Sequence, residues 1–446
     1  MVLASIVGRF DNIHPGLSCD NAVQILKTAV DDLESQSDLY MAAAHLINCP
    51  GKKTEQVLID LLGESSDHQA VKIAKRKAVE TLARLEAFNS VESIGQCLWS
   101  DDPFLVENTV WALQKLRCRD PRFIAKMLEL LRCDSENQRV LIQYMSALDV
   151  RESVALLPNF LDSSCPGVQG AAIAAFARLT NDASRLPTLV SHLTLPNQMD
   201  RQCAVQDLID ARATDCLSDI AIAPVSPAFR LRACRLLMSK DERQLEAKKF
   251  LNYVDSILVD DPFSINIVHQ YDKEPLLDFL IRDLFNVDFS RCYLAMRTLQ
   301  GFSSDCLFPL IVKAWEEEAH NDYGAHYFFM RLLGSRLDWT DVARGWIQNI
   351  LKQASVNQRP QFQKSRAGAM MAYLKLWPYH FSDFVDECLD DSVTPPWECR
   401  YIIPLQIRNI DAIDFDCKKN ILERILQDED PFVRSKAKMI LPLLSS

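Results

Sequence analysis

Asp322, Tyr323 and His326 carry the most legible chemistry in this sequence. Asp322 and His326 stand four apart, so on a helix they are neighbours. A carboxylate beside an imidazole raises its pKa and steadies the protonated form. That pairing suits proton donation to, or removal from, a bound conjugated ligand. At 100° per residue, Tyr327, Met330 and Arg331 share this side of the wheel, while Ala325, Phe328, Phe329, Leu332 and Leu333 occupy the other. A solvated face would carry Lys, Glu and Gln. A face of aromatics, His and Arg can stack on a flat molecule, exchange protons and pair with an anion. A helix packed between neighbours, with Tyr and His satisfied in a core, produces the same pattern.

The stretch before it repeats the arrangement with Phe289, Tyr293, Met296, Arg297 and Gln300. Arg297 and Arg331 can each grip a carboxylate with two parallel hydrogen bonds, or pair locally with Asp288 and Asp322. Further upstream, the wheel of 103–117 puts Val106, Thr109, Val110, Leu113 and Leu116 on the core side. Phe104, Glu107, Asn108, Trp111 and Lys115 lie off it. An outward Trp111 meets a partner or ligand, or packs under a neighbouring loop. The acidic runs 316–318 and 428–430 read as solvated faces or caps.

The elements that position these residues recur. Asp or Ser, then Pro, an apolar residue and an amphipathic run with small residues inside appears at 100–116, 163–179, 224–237 and 428–441. The acidic or hydroxyl residue caps a helix, and Pro sits in its first turn, where the missing N–H costs nothing. Pro103, Pro166 and Pro227 are about two helix pairs apart. Weaker units read at 67–85, 134–148, 198–211, 289–299, 321–333, 364–376 and 396–407. One helix pair cannot bury its own apolar face, so stacked pairs share a continuous core. The expected fold is all-α: a HEAT-like α-solenoid of stacked pairs, curved, with a concave ligand groove. Its expected halves are 1–240 and 289–446, with residues 1–60 as an N-terminal cap. An irregular junction spans 241–288, where Pro262, Pro275 and an acidic–aromatic mix break the spacing.

The totals narrow the function classes. A chain of 446 residues accommodates two or three domains or one long array. Its formal net charge of −11 gives little electrostatic support for nucleic-acid binding. No apolar run reaches the ~20 residues that span a bilayer, so membrane insertion is not expected. With a short apolar start and no basic region before it, no signal peptide is expected. The 14 cysteines are scattered, with no C-x-x-C pair and no Cys/His cluster at zinc spacing. They read as reduced, mostly buried thiols of a cytoplasmic protein, with no metal ligands among them. Phosphate-loop, dinucleotide and serine-hydrolase motifs are missing too.

The segment Arg84-Leu-Glu-Ala-Phe-Asn-Ser-Val-Glu-Ser-Ile-Gly-Gln-Cys-Leu-Trp-Ser-Asp-Asp-Pro-Phe-Leu-Val-Glu-Asn-Thr-Val-Trp-Ala-Leu-Gln-Lys-Leu116 resembles the N-terminal motif of the cyanobacterial phycobilin lyases of the E/F type. Asn321-Asp-Tyr-Gly-Ala-His-Tyr-Phe-Phe-Met-Arg-Leu-Leu333 resembles the second motif of their phycoerythrin-directed branch. The phycocyanin-directed relatives split these halves over two chains; here both lie in one. The resemblance implies a lyase that binds phycoerythrobilin and presents its A-ring ethylidene to a cysteine of a phycoerythrin α subunit, forming a thioether. The nucleophile would be the acceptor's, the bilin a substrate, and no cofactor would be needed. Some members also isomerise the chromophore to phycourobilin. Wheel and motif together assign Trp111 to stacking, and Arg297 and Arg331 to the propionates. Tyr293 is assigned to bilin contact, and Tyr323, His326 and Tyr327 to ring contact and proton transfer. Asp102 or Asp322 would bond the pyrrole N–H groups, with Asn108 beside Trp111 in the first motif. The alternative is a HEAT-repeat protein that binds bilin or phycobiliprotein without forming the bond.

Overall fold

The computed structural model describes residues 16–133, 137–238, 247–388 and 395–444. Among them the regular elements are all helices. The recurrent sequence unit explains why. Pro103, Pro121, Pro166, Pro227 and Pro431 each open a helix. Asp102, Asp120 and Asp430 accept a backbone N–H two residues on, at Phe104, Arg122 and Phe432, whereas Cys165 and Ser226 provide no side-chain cap. A side-chain cap stabilises a helix by about 1 kcal/mol.

The chain divides into two compact units, Met1–Leu186 and Pro187–Ser446. In the first, helices α1 (Cys19–Lys27), α2 (Asp38–His45), α3 (Gln69–Arg84), α4 (Pro103–Lys115), α5 (Gln138–Ala147) and α6 (Pro166–Thr180) follow in order. From α2 to α6 each packs on the next, and Lys52–Gly63, Val91–Gln96 and Pro121–Arg132 back them in a second layer. Val106, Thr109, Val110, Leu113 and Leu116 of α4 are all buried, as the wheel requires. Cys19 and Cys49 are joined by a disulfide, contrary to the expectation of reduced thiols throughout. Packing of α1 on α2 and the turn after it brings these two Cα atoms to 5.8 Å, a spacing a disulfide spans. Their sequence separation of 30 hid this proximity.

The second unit contains α7 (Gln198–Asp210), α8 (Pro227–Leu237), α9 (Ala247–Val259), α10 (Phe289–Leu299), α11 (Tyr323–Ser335), α12 (Gln363–Leu376), α13 (Trp397–Gln406) and α14 (Pro431–Ile440). α10 to α14 stack in series. The segment read as a junction instead supplies a central helix. α9 buries Phe250, Leu251, Val254, Ile257 and Leu258 and packs on α8, α12 and α14. Its Asp255 accepts bonds from Tyr401 of α13 (2.7 Å) and Lys436 of α14 (2.5 Å). Aliphatic periodicity in α9 therefore outweighs the prolines that follow it, and the division falls at 186/187, not in 241–288.

One buried cluster ties four elements of this unit together. Asp260, 2% exposed, ends α9 with a left-handed backbone (φ 45°). It pairs with Arg230 of α8 at 2.7 Å and accepts from the hydroxyls of Tyr293 of α10 (2.8 Å) and Tyr327 of α11. Arg230 also donates to the Ala221 carbonyl at 3.0 Å. Burial alone would push the Asp260 carboxyl up, but Arg230, Arg331 and the Tyr327 hydroxyl hold it below the usual carboxylate range. Removing one partner of such a pair leaves a buried charge uncompensated. Asp260→Ala should therefore cost about 3–5 kcal/mol. Tyr327→Phe should cost about 1–3 kcal/mol. Urea unfolding of the purified variants checks both values and their order.

Candidate functional site

The same turn that holds Asp260 continues into the wall of a cavity. Val259, Asp261, Pro262 and Phe263 form one side, and the other elements of the second unit supply the rest. Met296 and Gln300 come from α10, Met330, Arg331 and Gly334 from α11, and Met371, Ala372 and Lys375 from α12. Gln406, Asn409 and Ile410 close the far end. The volume is ≈610 Å³, within the range of small-molecule sites. Three methionines give the wall a polarizable, adaptable apolar surface.

Small residues create this space. At Gly334, a Cβ would lie 2.3 Å from the Ala372 Cβ and 2.8 Å from its Cα, so α11 and α12 touch backbone to backbone there. At Gly368, a Cβ would meet the Arg331 Cδ at 3.4 Å, a contact distance, so the Arg331 stem lies against α12 there.

The charge in the cavity is mostly cationic. Arg331 makes a single long bond, 3.4 Å, to the Leu258 carbonyl. Lys375 reaches the Ser335 carbonyl, also at 3.4 Å. Partial burial, and then the nearby Arg331 charge, lower the Lys375 pKa. Two like charges held close on an apolar wall favour an anion between them. Asp261 is the carboxylate of the lining, and it caps the short turn at Phe263 (3.0 Å).

The residues singled out from the sequence do not gather in this cavity. Arg331 lines it, and Met296, Gln300 and Met330 accompany it. Arg297 lies behind the wall. It donates to the carbonyls of Pro262 (2.6 Å), Phe263 (3.2 Å) and Ile265 (2.6 Å) and so fixes the segment that forms the rim. Tyr293 and Tyr327 are buried, their hydroxyls committed to Asp260. Asp322 caps α11 by accepting from Gly324 (2.8 Å) and Ala325 (2.7 Å).

His326 is 2% exposed, between Phe362 (ring centroids 4.5 Å apart) and Trp315 (5.1 Å). Its Nδ1 has no hydrogen-bond partner among the described residues. The expected Asp322–His326 pairing is replaced by this apolar sandwich. Burial, followed by the charges of Lys364, Arg359 and His320, lowers its pKa to about 4. The wheel left the face of His326, Tyr327 and Met330 as either a ligand surface or the side of a helix packed between neighbours. All three are buried, because α11 is covered by α12 and by the short turns 315–319 and 360–362.

Tyr323 is the exposed aromatic of the motif, at 63%, with Lys364 Nζ 4.9 Å from its ring. Burial lowers the Lys364 pKa to about 8, with Asp322 opposing the shift. Lys364, rather than His326, therefore has a proton to give near neutral pH in this neighbourhood. In the first unit, Asp102 grips Arg76 of α3 with two bonds (2.8 and 2.9 Å), and Asn108 donates to the Arg76 carbonyl (3.4 Å). Both are thus committed to the α3–α4 contact. Trp111 is half-buried, with the Arg84 guanidinium 5.6 Å over its ring.

Sequence reasoning missed Lys375, Asp261, Lys364, Met371 and Phe263. Met371 and Lys375 are four apart on α12, a spacing that places them on one face. No helix among the described residues is long and apolar enough to cross a membrane.

A helical chain of this construction, alike over nearly its whole length to the following proteins, belongs to the phycobilin lyases of the E/F type. The bilin biosynthesis protein CpeY of Synechococcus sp. (strain WH8020) is 45% identical to it over 418 residues, 93% of this chain and 100% of that protein. The uncharacterized phycocyanin operon protein Y of Pseudanabaena tenuis (strain PCC 7409) is 33% identical over 423 residues, 94% of this chain and 97% of that protein. The solved complex of CpcE and CpcF of phycocyanin lyase from Nostoc sp. PCC7120 has 22% identity and a TM-score of 0.47, covering 55% of this chain and 96% of that one. No family model matches the chain.

The burial of His326 has a measurable consequence. Its folded-state pKa, about 4, lies below the ordinary 6.5. As pH falls, the unfolded chain takes up this proton first, so stability is lost between pH 6.5 and 4. At pH 5 the loss from this residue should be about 2 kcal/mol relative to neutral pH. Thermal unfolding at pH 7 and pH 5 should show it, and His326→Leu should flatten that dependence.

Proposed function

We propose that this lyase attaches phycoerythrobilin through a thioether to a cysteine of a phycoerythrin α subunit, and that it holds the bilin in the cavity of the second unit. The observation that carries the assignment is the pairing of Arg331 with Lys375 on an otherwise apolar, methionine-lined wall. A linear tetrapyrrole is flat and apolar along its rings and carries two propionates. Arg331 and Lys375 receive those carboxylates through charge-assisted bonds. Met296, Met330 and Met371 lie against the conjugated rings, and Asp261 accepts from pyrrole N–H groups. Arg297 acts through the rim that it fixes and does not touch the propionates itself. The name of the relative CpeY, a bilin biosynthesis protein, supports the same substrate class.

The reaction is an addition. The acceptor's thiol sulfur bonds to the exocyclic ethylidene carbon, the carbon–carbon double bond is consumed, and the thiol proton ends on the adjacent ring carbon. Nothing leaves, and the bilin is substrate, so no cofactor enters. The enzyme's part is to hold the bilin in one conformation and hand its A-ring to the acceptor. Tyr323 and Lys364 form an aromatic–cation surface at the start of α11, and Trp111 with Arg84 forms another in the first unit. Both are contact surfaces for bilin or acceptor in a cytoplasmic enzyme.

Co-expression with phycoerythrobilin biosynthetic enzymes and a phycoerythrin α subunit tests this directly. The denatured α band should show zinc-enhanced fluorescence and phycoerythrobilin absorbance. Arg331→Ala should lower adduct yield about tenfold or more, the loss expected for a charge-assisted bond, and Lys375→Ala should act in the same direction. Unchanged yield in the double variant would remove the cavity assignment. A coloured lyase with a colourless α band would replace attachment with bilin carriage. A phycourobilin-coloured band would add isomerisation to attachment.

A further inference from the structure

A cluster in the first unit stands apart from the bilin chemistry. Cys19 opens α1, His45 ends α2, and Cys49 follows one short turn later. One ligand atom from each of the three lies within 4.8 Å of the others. A disulfide between Cys19 and Cys49 needs only the two sulfurs; the imidazole beside them is a third donor that a disulfide does not use. Two thiolates and one imidazole form the soft donor set that tetrahedral zinc takes, with a fourth position left for water or another ligand. The Cα atoms of Cys19 and Cys49 are 5.8 Å apart, and each cysteine is anchored by its place on a packed helix or turn. Cys19 is exposed and Cys49 buried, so a reductant can reach the pair from the Cys19 side.

We propose that Cys19, His45 and Cys49 form a zinc-type metal site that exchanges with the Cys19–Cys49 disulfide. A dithiol reductant cleaves the disulfide, becoming a disulfide itself, and leaves two thiols on the protein. The divalent cation then binds both sulfurs and His45, and the two thiol protons are released to solvent. An oxidant of the disulfide class reverses the step and expels the metal. Either form links α1 to the end of α2, so the N-terminal helix is held in both, but only the reduced form holds a cation.

Cobalt(II) is the probe, because thiolate ligation gives it intense sulfur-to-metal charge-transfer bands and tetrahedral d–d bands. The full-length protein, reduced and freed of reductant under argon, is titrated with cobalt and then with zinc. The expected result is a thiolate–cobalt spectrum that saturates at one equivalent, vanishes on zinc addition and does not appear in the oxidised protein. Cys19→Ser and Cys49→Ser should each abolish it. His45→Ala should keep a thiolate band but weaken binding about tenfold or more. Circular dichroism of each variant separates ligand loss from unfolding. Absence of a thiolate–cobalt band in the reduced wild type would overturn the proposal. So would persistence of the band in a folded Cys19→Ser variant, which would place the cation on other cysteines.

Discussion

The second unit depends on a carboxylate that has no access to water. Asp260 is surrounded by Arg230, Tyr293 and Tyr327, contributed by three different helices, and it sits where a fourth helix ends. A charge in that position is tolerated only because each partner is present and aimed at it. The cluster therefore sets where the α9 terminus lies relative to α8, α10 and α11. The next three residues of the chain form the cavity wall, and Arg297 secures that wall from behind. The cavity inherits its geometry from a polar cluster that lies outside its lining.

What the cluster positions is a wall with two chemical characters. Methionines and the close Gly334–Ala372 crossing make it broad and apolar, while Arg331 and Lys375 concentrate positive charge at one place. The chain as a whole carries a net charge of −11, whereas the cavity lining holds two cations and one carboxylate. An amphipathic, dianionic, planar molecule matches both characters.

Much of the fold was legible in the sequence, and of the cavity lining Arg331, Met296, Gln300 and Met330 were. Proline-opened helices with small residues inside announced stacked pairs, and the core faces of α4 and α11 fell where periodicity placed them. The wheel left two readings of the other face of α11, a ligand surface or a helix packed between neighbours. The second is what buries His326 and Tyr327, while Tyr323 at the start of the helix stays exposed. Asp102 and Asn108 looked like ligand contacts, yet they hold Arg76 across a helix–helix contact, a partner 26 and 32 residues away. Lys375 was passed over because lysine in a last helical turn ordinarily faces solvent. Only the tertiary approach of α11 brings Arg331 beside it. Cys19 and Cys49 were missed for the same reason, since no short spacing links them.

The central claim is that Arg331 and Lys375 receive the propionates of a bilin. Competitive amine labelling reads Lys375 directly, because this amine is exposed and its pKa is lowered. The purified protein is acetylated with and without phycoerythrobilin, and modification is quantified residue by residue by mass spectrometry, with exposed Lys52 as an internal reference. The account predicts that the bilin protects Lys375 severalfold while Lys52 is unchanged, and that the bilin dimethyl ester, lacking free carboxylates, protects it far less. Equal labelling of Lys375 with and without saturating bilin would contradict it.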